Sequence, residues 1–135
     1  MSNEIGRGPM GWATTVAAVF LGALGMALLF AGQEAGGAVL GRTDVEPLAS
    51  ILGGALIGFG SMSWISRKST LGGIYGRAVV VGNQTQFIIG AIVLLKYGIR
   101  FGGSTAYWVI ASLYTLGAMA FTALLLSPGV RRRDA

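Results

Sequence analysis

Residues Ala78 to Leu95 read AVVVGNQTQFIIGAIVLL. The stretch is apolar enough for lipid, yet Asn83, Gln84, Thr85 and Gln86 stand together near its middle. An amide in hydrocarbon costs free energy unless something hydrogen-bonds it. The segment therefore reads as a membrane-crossing helix with other protein, or a wet cavity, on at least one side. With Leu71 as its start, this span runs over 71–95 and stops at Lys96-Tyr97.

Working outward, three more apolar runs have the length of a span, roughly 20 residues. They cover about 10–32, 45–65 and 105–126. Pro9 suits a first helical turn, where a missing N–H costs little. The run from Gly11 to Gly32 is too long for the apolar core of a signal peptide and reads as a retained span. After it, AGGAVLGRTD reads as a helix end or an interfacial loop, with Thr43 or Asp44 placed to cap the second span. The link from Ser66 to Thr70 is short, so spans two and three are expected as antiparallel neighbours. KYGIRFGGST reads as the loop before the last span, which Ser127-Pro128-Gly129 ends. The expected fold is all-α, an integral membrane four-helix bundle forming a single transmembrane domain over 1–135.

Composition supports this reading. The chain has 135 residues, of which 53% are hydrophobic and 11% charged. Soluble domains carry about 25% charged residues. Basic residues set the orientation. With the N-terminus inside, Arg7, Arg67, Lys68, Arg77, Arg131, Arg132 and Arg133 lie inside, and Arg42, Lys96 and Arg100 outside. That excess favours N-in and C-in and a multi-pass protein of the cytoplasmic (inner) membrane. The net charge of +5 flanks the spans, which points to membrane lipids as partners. No aromatic and basic interleaving suggests nucleic acid.

Cysteine and histidine are both absent. This removes disulfide relays, thiolate metal sites, imidazole ligation and histidine proton transfer from this chain. A quinone-linked disulfide-forming enzyme and a histidine-ligated cytochrome are excluded. Apart from Glu46 at the very start of the second span, no acidic residue lies within a span, which argues against a proton-coupled exporter. No catalytic residue and no metal ligand is assigned, and the sequence names no cofactor.

Two features remain. The 23 glycines include Gly54-x-x-x-Gly58 in span two, Gly22 and Gly25 with Ala18 in span one, and Gly76, Asn83 and Gly90 at seven-residue intervals in span three. Small residues at such spacing let helix backbones approach closely. Gly22, Gly54, Gly58 and Gly90 are the expected packing positions, whether within the chain or against another subunit. Asn83 and Gln86 share a helix face, while Gln84 points elsewhere. They read either as an interhelical clamp, with Ser61, Ser63, Ser112 or Thr115 as partner, or as a polar ligand site or pore constriction. Arg77, about one turn into span three, reaches the inner headgroups or serves as an anion contact at a cavity mouth.

Leu52 to Lys96, LGGALIGFGSMSWISRKSTLGGIYGRAVVVGNQTQFIIGAIVLLK, resembles small four-span bacterial membrane proteins of the loose DoxX-like group. The likeness lies in a glycine-rich span ending in Trp64 and Arg67, a short basic turn, and an arginine-led span with an internal amide. It covers about a third of the chain and implies no catalytic residue. Fluoride channels are of similar size, but their arginine and asparagine motifs do not match the spacing of GGALIGFGSMSW or GNQTQF. The expected function is that of a noncatalytic accessory or structural subunit. It would pack through glycine-rich faces in a homo- or hetero-oligomeric membrane complex, with room for lipid or pigment between helices. The alternative is a small channel or transporter whose path passes Asn83, Gln86 and Arg77.

Overall fold

A computed structural model describes residues 9–42, 44–68 and 74–127. Within them the chain forms five helices: α1 (Pro9–Phe30), α2 (Gly32–Leu40), α3 (Glu46–Ser66), α4 (Ile74–Phe101) and α5 (Thr105–Leu125). Four of these, all but α2, are long and apolar enough to cross a membrane. Only 22–28% of each apolar stretch is buried within the chain. Residues such as Val19, Ile51, Ile65, Ile92 and Leu116 are exposed. So large an apolar surface is stable against lipid and unstable against water.

Aromatic side chains mark both ends of the spans. Exposed Trp12, Trp64 and Tyr75 lie at the start of α1, the end of α3 and the start of α4. Exposed Tyr97, Phe101 and Trp108 lie at the opposite end. Such residues suit the headgroup level of a bilayer. Tyr107, next to Trp108, is not part of this exposed belt. It is buried, and its hydroxyl donates to the Leu94 carbonyl.

Two element boundaries differ from the sequence expectation. Of the two readings of the glycine-rich piece after α1, a helix end or an interfacial loop, the structure has neither as such: most of it forms the end of a short separate helix. Ala31 leaves helical dihedrals (φ −128°, ψ 42°), and α2 then runs for nine residues until Gly41 turns into the left-handed region at φ 67°. Gly41 N–H donates back to the Gly36 and Gly37 carbonyls and closes the helix end. Gly36 has no room for a side chain, since a Cβ there would meet the Arg42 carbonyl oxygen at 2.6 Å. The other difference is α4, which continues past Leu95 to Phe101, where Gly102 (φ 75°) follows. Lys96 and Arg100 do not end the helix, because basic side chains are good helix formers. Arg77 and Lys96 are separated along the axis by about 28 Å, close to a hydrocarbon thickness of about 30 Å.

The long helices pack mainly as two close pairs, α1 with α3 and α4 with α5. Both pairs are antiparallel. Along α1 and α3, Gly22 meets Gly60 and Gly25 meets Gly53. Along α4 and α5, Phe87 meets Phe121 and Gly117, and Gly98 meets Tyr107. Although their connection is short, α3 and α4 share a smaller contact, where Gly82 faces Phe59 and Met62. The centre is an aromatic cluster that joins α1 to the α4–α5 pair. Phe87 stacks on Phe121 at 5.6 Å, tilts against Tyr114 at 5.3 Å and lies 6.2 Å from Phe20. Leu21, Leu56 and Val80 fill in around it.

Ser104 ties α2 to this frame. Its hydroxyl accepts from Tyr107 N–H at 3.2 Å as the cap of α5 and donates to the Ala38 carbonyl at 2.9 Å. Loss of such a cap costs about 1 kcal/mol. Ser104→Ala is accordingly expected to lower the unfolding midpoint in detergent, and Ser104→Thr to restore most of it. Equal midpoints for wild type and Ser104→Ala would show that the cap contributes nothing.

Candidate functional site

The polar residues of α4 fan out toward different helices. Asn83 is fully buried on the side facing α3 and pairs with the fully buried Ser63. Its Nδ2 donates to Ser63 Oγ at 2.8 Å, and Ser63 Oγ donates back to Asn83 Oδ1 at 3.2 Å. Nδ2 also donates to the Val79 carbonyl one turn earlier, at 3.0 Å. One face of the amide thus closes a small ring across the α3–α4 contact. Ser66 stands one turn further along α3 and donates to the Ser63 carbonyl at 3.2 Å.

Gln84, one residue on, is rotated by about 100° and turns to α5, where Nε2 donates to Thr122 Oγ1 at 3.3 Å. The half-buried Gln86 places its side chain against the Tyr114 hydroxyl. Thr85 is exposed. The sequence named Ser63 among the partners of the Asn83–Gln86 face, but Thr122 and Tyr114 were not among them. The other hydroxyls considered there turn away. Ser112 and Thr115 bond to carbonyls of their own helix, Trp108 at 2.8 Å and Ala111 at 2.9 Å, and Ser61 is exposed.

Among the described residues, no buried side-chain nitrogen or oxygen lacks a hydrogen-bond partner. Asn83 and Gln84 are engaged by hydroxyl and carbonyl groups of α3, α4 and α5. An amide neither gives nor takes a proton at neutral pH, so the arrangement can hold helices and orient dipoles. It offers no general acid, base or nucleophile. Arg77 is half-buried and lies about 9 Å along the axis from Asn83 and about 120° around it. The two residues do not define a single point on α4.

The packing glycines fall on two sides of α3. A Cβ on Gly53 would lie 2.6 Å from the Gly25 carbonyl oxygen, and one on Gly25 would lie 2.7 Å from that of Gly53. A Cβ on Gly60 would come within 3.0 Å of Gly22 N and 3.1 Å of the Ala18 carbonyl oxygen. These positions bring the backbones of α1 and α3 into contact. Gly54 and Gly58, the pair singled out in the sequence, face away, and a methyl group at either would meet nothing within 4 Å. The physical reason is rotation: Gly53 and Gly54 are adjacent, so they point about 100° apart. Gly22 contributes backbone to the seam, while its own side-chain direction is open. Gly90 lies under the Tyr114 ring, which a Cβ there would strike, and Gly117 lies under Phe87, where a Cβ would come within 2.5 Å. The seven-residue interval from Gly53 to Gly60, passed over in favour of Gly54 and Gly58, is the signal that could have found the α1 seam. Gly117 carried no such signal.

Outside the spans, Arg42 and Asp44 form an ion pair, with Nη2 2.6 Å from Oδ2. The hydrogen bond from Arg42 holds the Asp44 carboxyl below its ordinary range. Both side chains are exposed. Among the described residues, no group of three or more histidine, cysteine or acidic side chains comes together as a metal site.

Comparison with family models, with curated proteins and with solved structures finds no match for this chain. What the sequence and structure define is a class: an all-helical protein with four helices capable of crossing a membrane.

Proposed function

We propose that the chain is a noncatalytic multi-pass protein of the cytoplasmic membrane, a four-helix bundle with both ends inside. In this reading it acts as an accessory or structural subunit of a homo- or hetero-oligomeric membrane complex. The observation that carries the proposal is the second glycine face of α3. Gly54 and Gly58, flanked by Ala55 and Met62, are exposed, and among the described residues nothing comes within 4 Å of a Cβ placed on either glycine. Small-xxx-small faces of this kind let a second helix approach closely in lipid. The amides support the same reading, because they are engaged within the chain. The DoxX-like resemblance fits a small multi-pass protein and adds no residue role.

The test is Gly54→Leu with Gly58→Leu. Both side chains point into open space, so the fold is expected to survive with an unchanged unfolding midpoint. On native gels of gently solubilised membranes, the assembled species is expected to give way to the free chain. Assembly that persists in the double variant would remove the main support for a subunit role.

A further inference from the structure

The seam between α1 and α3 is closed on one side and open on the other. Ala18, Gly22 and Met26 of α1, with Ile57, Ser61 and Trp64 of α3, line an open groove of about 420 Å³. Gly22 makes the groove possible, since a side chain there would project into empty space. The lining side chains are apolar apart from the Ser61 hydroxyl and the indole N–H of Trp64. From Ile57 to Trp64 the groove rises about 10 Å along α3, from mid-span to the end marked by exposed tryptophans. At that end the Arg67 guanidinium stacks over the Trp64 ring at 3.8 Å, and its Nη1 donates to the Trp64 carbonyl at 2.6 Å. Exposed Lys68 follows. Ile57, Ser61 and Trp64 fall at intervals of four and three along the groove floor, and Lys68 lies two residues beyond the end of α3, beside Arg67.

We propose that this groove is a binding site for an anionic phospholipid, with an acyl chain along the α1–α3 seam and the phosphate on Arg67 and Lys68. The groove is apolar and opens toward the bilayer, as an acyl chain requires. Its mouth is cationic at the depth where tryptophans mark the headgroup layer. A guanidinium held by stacking and by a carbonyl keeps its remaining N–H groups in the fork geometry that matches a phosphate. A second copy of the chain fits less well. A two-fold contact through this face would set one groove against another and bring both Arg67–Lys68 pairs to the same membrane surface. The inference rests on the membrane placement alone and is independent of the subunit role.

The experiment uses the full chain, delipidated in a neutral detergent. Dioleoylphosphatidylglycerol or dioleoylphosphatidylcholine is added at equal mole fraction, and retained lipid is read by native mass spectrometry. Wild type is expected to retain the anionic lipid about tenfold more than the zwitterionic one, given two basic residues at the headgroup level. Arg67→Gln with Lys68→Gln is expected to bring the two lipids level. Gly22→Leu, which fills the groove from an open position, is expected to abolish the preference, as is Ser61→Leu from the opposite wall. Equal retention of both lipids by wild type overturns the proposal. So does a tenfold preference that survives both groove-filling variants, or survives loss of the two cations. A change in oligomer mass with Gly22→Leu, at constant lipid occupancy, would make the groove a protein interface and overturn the lipid site. Loss of assembly in the Gly54 and Gly58 variants bears on the subunit role and leaves this test intact.

Discussion

Gly25→Leu is expected to unfold the α1–α3 pair, and Gly53→Leu to do the same. A Cβ at Gly25 would lie 2.7 Å from the Gly53 carbonyl oxygen and 2.9 Å from Ile57 N. Overpacking costs about 1–3 kcal/mol where side chains can yield. Here the obstruction includes backbone on the facing helix, which cannot yield without moving the helix. The expected loss is therefore at least about 3 kcal/mol, a large share of a net stability of about 5–15 kcal/mol. The two substitutions remove the same close approach, so the double variant should lose much less than the sum of the singles. Unfolding in mixed detergent micelles would measure this. Gly54→Leu, one residue away, serves as control and should leave the midpoint unchanged. A Gly25→Leu protein as stable as wild type would mean that the helices are not in contact at this point.

The second large effect concerns the clamp between α3 and α4. Asn83→Leu removes both hydrogen bonds to Ser63 and the one to the Val79 carbonyl. Interhelical hydrogen bonds in membranes are worth about 0.6–2 kcal/mol, and the loss should fall in that range. Because the contact between α3 and α4 is small, these bonds form a sizeable part of what joins the two helix pairs. A double-mutant cycle with Ser63→Ala isolates the pair and should return a coupling of about 1 kcal/mol. A coupling near zero would dismiss the clamp. If Asn83→Leu instead left stability intact and abolished solute flux in liposomes, the amide would belong to a transport path, and the channel reading would replace the subunit reading.

The residues of the candidate site were legible to different degrees. The burial of Asn83 could be read from its position in an apolar run, since lipid forbids an unpaired amide. The choice of Ser63 over Ser61 could not, because two residues on a helix differ by about 200° in direction. Gln84 could be seen to diverge from Asn83, but its meeting with Thr122 depends on where α5 crosses. The same applies to Gly90 and Gly117. Each is a small residue in an apolar segment, and only the rings of Tyr114 and Phe87 lying against them show why a side chain would not fit.

Length and hydropathy by themselves determined the membrane class and the four long helices. Both quantities act locally: about 20 apolar residues satisfy their own backbone hydrogen bonds and match the bilayer whatever their neighbours do. The absence of histidine and cysteine was equally decisive from composition. Tertiary structure alone decided which glycines touch and which amide meets which hydroxyl. Those features depend on rotation about each helix axis and on the crossing of segments distant in sequence. A single-residue step turns a side chain by about 100°, so Gly53 is sealed against α1 while Gly54 faces outward.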